Sequence, residues 1–121
     1  MTRAQLKKTL TVAKKQCVPK IGVSEDKIAN IEKGEFIEDP KVMCFVTCVY
    51  KTFQVIKDGR LDRDMISKQV NALYPNDMKE PVTRAIDQCF DLQYKYSDVC
   101  EAVFYAAKCM YEKDPPNFVF P

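Results

Sequence analysis

Six cysteines in a chain of 121 residues constrain this sequence more than any other feature. In a reducing cytosol such a density would point to metal ligands or redox centres. In an oxidising compartment an even count is a disulfide framework. No two cysteines have CxxC spacing and the chain contains no histidine, so the usual zinc patterns fail. Disulfides follow, and with them a secreted, extracellular setting. The length suits one domain with one core. A core of that size that also keeps a cavity gives up part of its packing.

The missing histidine removes most chemistry as well. Serine and cysteine hydrolase triads, histidine-based phospholipases and most zinc hydrolases need an imidazole that titrates near neutrality. The 17 acidic residues are spread over predicted solvent faces, unlike the converging carboxylate pair of a glycosidase. No enzymatic activity, cofactor or metal is expected. Net charge is only +2. The densest basic run, Lys7, Lys8, Lys14 and Lys15, lies on the first predicted helix and reads as a solvated face, not a nucleic-acid or membrane patch. No apolar run approaches the ~20 residues that span a bilayer. Met1 is followed almost at once by the charged stretch Arg3 to Lys8. That start does not resemble a signal peptide, and the expectation is a mature, processed chain with an added start methionine.

Helical periodicity dominates the rest. Leu6, Leu10, Ala13 and Cys17 share one face of a first helix, broken by Pro19 and Gly22. Ser24 caps a short second helix with Asp26 in its first turn, ended by Gly34. A third helix is expected after Pro40, through Cys44, Cys48 and Phe53 to a stop near Asp58-Gly59. Asp62 or Asp64 caps a fourth, carrying Ile66, Val70 and Leu73. After the Pro75-Asn76 turn, Asp77 with Glu80 forms a capping-box pattern for a fifth. The sixth runs from Ser97 or Asp98 to about Tyr111. Its two apolar stripes, Val99-Val103-Ala106-Met110 and Cys100-Phe104-Ala107-Tyr111, place it at the centre with the others packed around it. Two prolines stop any helix in the tail, residues 113–121. Phe118, Val119 and Phe120 are expected to fold that tail back over the body, since each large side chain buried contributes about 1.5–3 kcal/mol.

Six cysteines allow fifteen pairings. Cys100 and Cys109 lie a net half turn apart on one helix, so they point to opposite sides and reach different neighbours. Cys44 and Cys48, one turn apart on one face, are not expected to bond each other. Ten pairings survive, all of them interlocking the helices. Each bridge stabilises by about 3–4 kcal/mol on loop-entropy arithmetic.

The spacing Cys17-x26-Cys44-x3-Cys48-x40-Cys89-x10-Cys100-x8-Cys109 resembles that of the insect odorant-binding proteins over nearly the whole chain. Gly34-Glu35-Phe36, Asp58-Gly59 and the apolar tail agree with it. The resemblance implies an all-α, six-helix disulfide-bridged bundle enclosing an apolar cavity, with pairs Cys17–Cys48, Cys44–Cys100 and Cys89–Cys109. It implies a monomer or weak homodimer in sensillar lymph or another secreted fluid. Its partners would be a small apolar ligand and a membrane odorant receptor, with no nucleic acid.

Wall residues for such a cavity are expected among the inward stripes: Leu10 and Ala13, Tyr50 and Phe53, Leu61, Ile66, Val70 and Leu73, Val103, Ala106 and Met110. In relatives with a tail of this length the C-terminus covers the cavity, which adds Phe118 and Phe120. The hydroxyls of Tyr50, Thr52 and Tyr105 are candidate hydrogen-bonding groups. Some relatives release ligand at low pH through histidine, which this chain cannot do, so acid-triggered release would fall to carboxylates and titrate lower. Two other functions fit the same pattern: a carrier of a hormone, fatty acid or cuticular lipid, and a secreted interaction or defence protein without a ligand.

Overall fold

The structure, a computed structural model, describes residues 1–121. Helix α1 spans Arg3–Ile21. Thr2 caps it in a reciprocal box: the Gln5 amide donates to the Thr2 hydroxyl oxygen at 3.1 Å and the Thr2 amide to the Gln5 side chain at 2.9 Å. Pro19 does not break this helix, contrary to expectation. It sits in the last turn, where its missing N–H costs a single bond, and the helix ends at Gly22 with φ 72°.

The short second helix divides in two. Helix α2 covers only Glu25–Ile28. A 3-10 turn at Ile31–Lys33 then ends on Gly34, whose φ is 97°. Ser24 stands at the cap of α2 without bonding its amides; its hydroxyl donates to the Asp26 carboxylate. Gly34 has a second constraint. A Cβ there would lie 2.5 Å from the Tyr111 ring, whose hydroxyl donates to the Lys33 carbonyl at 2.9 Å. Gly34→Ala is therefore expected to destabilise the fold by about 2 kcal/mol, through left-handed strain and displacement of Tyr111. A thermal melt within a degree of the parent would contradict this.

Helix α3, Pro40–Thr52, starts with Pro40 in its first turn and Asp39 capping the Lys41 amide. It stops well before Asp58-Gly59. There the chain forms a two-stranded antiparallel ladder, β1 (Ile56–Lys57) and β2 (Arg60–Leu61). Asp58 and Gly59, with φ of 53° and 74°, supply the two left-handed residues of a tight hairpin turn. Helix α4 spans Arg63–Leu73, and Asp62 supplies its cap by accepting from the Met65 amide. Helix α5 spans Asn76–Cys89. The capping box expected for it is absent: Pro75 occupies the cap position, and Glu80 pairs one turn on with Arg84 at 2.7 Å. A 3-10 segment, Phe90–Lys95, leads to helix α6, Val99–Lys113, capped by Asp98.

Helix α6 lies at the centre. Its residues Ala102, Val103, Phe104, Ala106 and Ala107 are buried, and it packs on α3, α5, the 90–95 segment, β2 and the tail. Cys17–Cys48 joins α1 to α3, Cys44–Cys100 joins α3 to α6, and Cys89–Cys109 joins α5 to α6. These pairs match those that the resemblance implies. The half-turn offset of Cys100 and Cys109 sends one bridge to each side of α6. Fully buried Gln93 fixes the hairpin to this core: its side chain accepts from the Leu61 amide at 2.8 Å and donates to the Leu61 carbonyl at 3.2 Å. The fold is an all-α bundle of six helices, and the hairpin is its one β element.

Candidate ligand-binding cavity

A cavity of about 100 Å³ lies within the bundle, and sixteen of its nineteen lining residues are hydrophobic. Leu6 and Leu10 face it from α1, Tyr50 from α3, and Phe53, Val55 and Leu61 from the hairpin region. Helix α4 presents Ile66, Gln69, Val70 and Leu73, with Tyr74 following it, and α5 presents Val82, Ala85 and Ile86. Only Met110 comes from α6; Asp114, Asn117, Phe118 and Val119 come from the tail. Such a wall takes apolar surface out of water at roughly 25 cal/mol per Å².

The tail is held by charged and polar groups. After a 3-10 turn at Pro115–Asn117 it runs back along the body. The Arg3 guanidinium donates to the Pro116 carbonyl at 2.8 Å and to the Asn117 side chain. Lys7 donates to the Phe120 carbonyl and pairs with Glu32, which also accepts from the Phe120 amide at 3.3 Å. Lys7 thus departs from the solvated face expected of it: its position on α1 puts it beside the end of the tail, which sequence distance concealed.

Of the residues expected on the wall, Leu10, Tyr50, Phe53, Leu61, Ile66, Val70, Leu73, Met110 and Phe118 stand there. Five others do not. Ala13 is buried one turn beyond Leu10, toward the Cys17–Cys48 bridge, in solid core. Val103 and Ala106 are core because α6 is enclosed on most sides and meets the cavity near its C-terminal end. Phe120 is 1% exposed and sits behind the wall, its ring 6.2 Å from that of Phe45 and 5.8 Å from that of Tyr50. Thr52 donates its hydroxyl to the Cys48 carbonyl one turn back, at 2.9 Å.

Tyr105, expected as a hydrogen-bonding group of the cavity, is also elsewhere. It faces outward, stacks on Tyr96 with ring centroids 4.8 Å apart, and donates to Glu38 at 2.6 Å. That bond to a carboxylate pushes its hydroxyl up to about 12. The face of α5 was legible in the spacing of Met78, Val82, Ala85, Ile86 and Cys89; Tyr74, Gln69 and the polar tail residues carry no periodic signal.

Within the wall the tyrosines behave alike. Burial pushes the Tyr74 hydroxyl up to about 12 and raises that of Tyr50 still further, with Tyr74 itself adding to the effect on Tyr50. The fold thus favours the neutral forms. Their contribution to stability is complete below pH ~10, the ordinary tyrosine value, and is lost as pH rises through the folded values. Urea midpoints are expected to fall over that alkaline range, and to fall less in a Tyr50→Phe/Tyr74→Phe variant. Identical alkaline profiles for the two proteins would refute this assignment.

Comparison with known proteins agrees with this architecture. The chain is 29% identical to General odorant-binding protein 72 of Anopheles gambiae over 121 residues, covering 100% of this chain and 99% of that protein. It is 26% identical over 108 residues to General odorant-binding protein 19a of Drosophila melanogaster, covering 87% of this chain and 73% of that one. The crystal structure of odorant binding protein 4 of Chrysopa pallens is similar with a TM-score of 0.89 and 33% identity, covering 100% of this chain and 99% of that chain. Odorant binding protein 5 of Apis mellifera follows with a TM-score of 0.81 and 27% identity, covering 100% and 98%. The pattern of the PBP/GOBP family matches residues 1–113, and with six helices, three bridges and these relatives the chain belongs to that family of odorant-binding proteins.

Proposed function

We propose that the protein binds a small apolar or semi-volatile molecule, of the odorant or pheromone kind, in this cavity and carries it through a secreted fluid. The observation that carries this is the apolar cavity, walled partly by the chain's own tail, in a member of an odorant-binding family. Three disulfides suit an oxidising, extracellular compartment. No helix is long and apolar enough to cross a membrane. The role is carriage, not catalysis: the chain has no histidine, and the cavity is lined by aliphatic and aromatic groups with few polar ones. Delivery would end at a membrane odorant receptor, from a monomer or weak homodimer.

At about 100 Å³ the empty cavity is smaller than the ~150 Å³ apolar cavity known to admit benzene. A longer ligand therefore needs more room than the cavity offers here, and the tail is the wall that would yield. Its polar anchors Arg3, Lys7 and Glu32 are partly or fully exposed, although Phe120 behind them is buried. Native mass spectrometry of purified protein should reveal a co-purified apolar molecule. Phenylnaphthylamine should fluoresce on binding and be displaced by small volatiles. A protein that binds neither the probe nor any volatile would sink the carrier reading.

A further inference from the structure

Two hydroxyls inside this mostly apolar chamber have no protein partner. Tyr50, near the end of α3, and Tyr74, at the end of α4, both line the cavity. All fully enclosed side-chain nitrogens and oxygens of the protein are hydrogen-bonded, whereas these two hydroxyls bond to nothing in the chain. Each oxygen therefore keeps some open surface. The two side chains, close enough for Tyr74 to raise the Tyr50 hydroxyl, line the cavity together, with Tyr74 also bordering a surface depression beside the start of α1. An unpaired hydroxyl in such surroundings is costly, and a ligand acceptor relieves that cost. Each tyrosine stays neutral and keeps its proton to donate across the physiological range.

Charge narrows the ligand further. No lysine or arginine lines the cavity, and one carboxylate, Asp114, does. Its only side-chain partner is the Asn117 amide at 2.8 Å, which leaves the negative charge uncompensated by any cation. An anionic head group would meet a like charge and no counter-ion. A carbonyl oxygen, in contrast, offers two lone pairs to two donors.

We propose that the cavity selects uncharged ligands with one carbonyl oxygen on a hydrocarbon chain (a ketone, aldehyde or ester), the oxygen taken by the Tyr50 and Tyr74 hydroxyls. This assignment rests on the carrier function above and names its ligand class. It sets a fatty acid, as its anion, outside that class.

Displacement of phenylnaphthylamine tests it, with hexyl methyl ketone, nonane of the same heavy-atom count, and octanoate as competitors. The parent protein should prefer the ketone to nonane by about fivefold to tenfold, the range of one to two modest hydrogen bonds. In Tyr50→Phe/Tyr74→Phe that ratio should fall to about one, with each single variant between. Both substitutions keep the ring and remove a hydroxyl that bonds nothing in the protein, and the singles serve if the double variant does not fold. Equal binding of nonane and ketone by the parent, or a ratio that survives in the variants, overturns the carbonyl assignment while leaving the carrier function standing. Octanoate bound as tightly as the ketone overturns the selection for uncharged ligands. Failure of the probe and all three competitors to bind overturns the carrier function itself.

Discussion

Deleting residues 115–121 is expected to lower the affinity for an apolar probe about tenfold and to speed its release. Phe118 and Val119 form part of the cavity wall, and losing about 60 Å² of apolar contact removes about 1.5 kcal/mol of binding energy. The deletion also removes Phe120, which is 1% exposed and packed on Phe45 and Tyr50, so the melting temperature should fall as well. Two wall variants separate the effects: Phe118→Ser and Val119→Ser leave Phe120 in place and should still weaken binding. Stopped-flow release and equilibrium titration, run well below the melt, give both numbers. Unchanged kinetics and affinity in all three proteins would remove the tail from the site.

Replacing Cys44 and Cys100 together by alanine is expected to be the most destabilising of the three bridge removals. The bridge closes a loop of sequence separation 56, against 31 for Cys17–Cys48 and 20 for Cys89–Cys109. Loop entropy assigns about 4 kcal/mol to the first and about 3 kcal/mol to the last. That is a large share of the ~5–15 kcal/mol by which a domain of this kind is stable. The melt should drop by about 15 °C. The same bridge ties α3 to the central helix, so calorimetry of the three double variants should order them by loop size. A Cys89→Ala/Cys109→Ala protein less stable than Cys44→Ala/Cys100→Ala would show that native-state strain or packing outweighs chain entropy.

Much of this architecture could be read from local chemistry. Asp62 and Asp98 each precede a periodic apolar run and accept the amide three residues on. The stripes of α6 foretold its central place, because a helix apolar on most sides has nowhere else to go. Where two local signals competed, the sequence could not rank them. Asp77 and Glu80 have capping-box spacing, yet Pro75-Asn76 starts α5 earlier and Glu80 is taken by Arg84. Asp58-Gly59 marks either a helix stop or a hairpin turn; Gln93, 32 residues from Leu61, supplies the bonds that help select the hairpin.

The candidate site was less legible than the fold, for a physical reason. Periodicity separates inside from outside, but a solid core and a cavity wall are both inside. Ala13 and Leu10 share a stripe and only Leu10 reaches the cavity; Phe118 and Phe120 are two residues apart, one on the wall and one behind it. Tyr74 was invisible because its role depends on where α4 ends relative to α3. Tyr105 looked inward until Glu38, 67 residues away, turned it outward.

The disulfides divide the cavity wall unevenly. Helices α1, α3, α5 and α6 are stapled to one another, while β2, α4 and the tail, which supply about half of the wall, contain no cysteine. Substitutions in that unstapled half can reshape the chamber without disturbing a single bridge. If the chamber carries a ligand as proposed, its preference can therefore be altered by substitution while the stapled scaffold stays as it is.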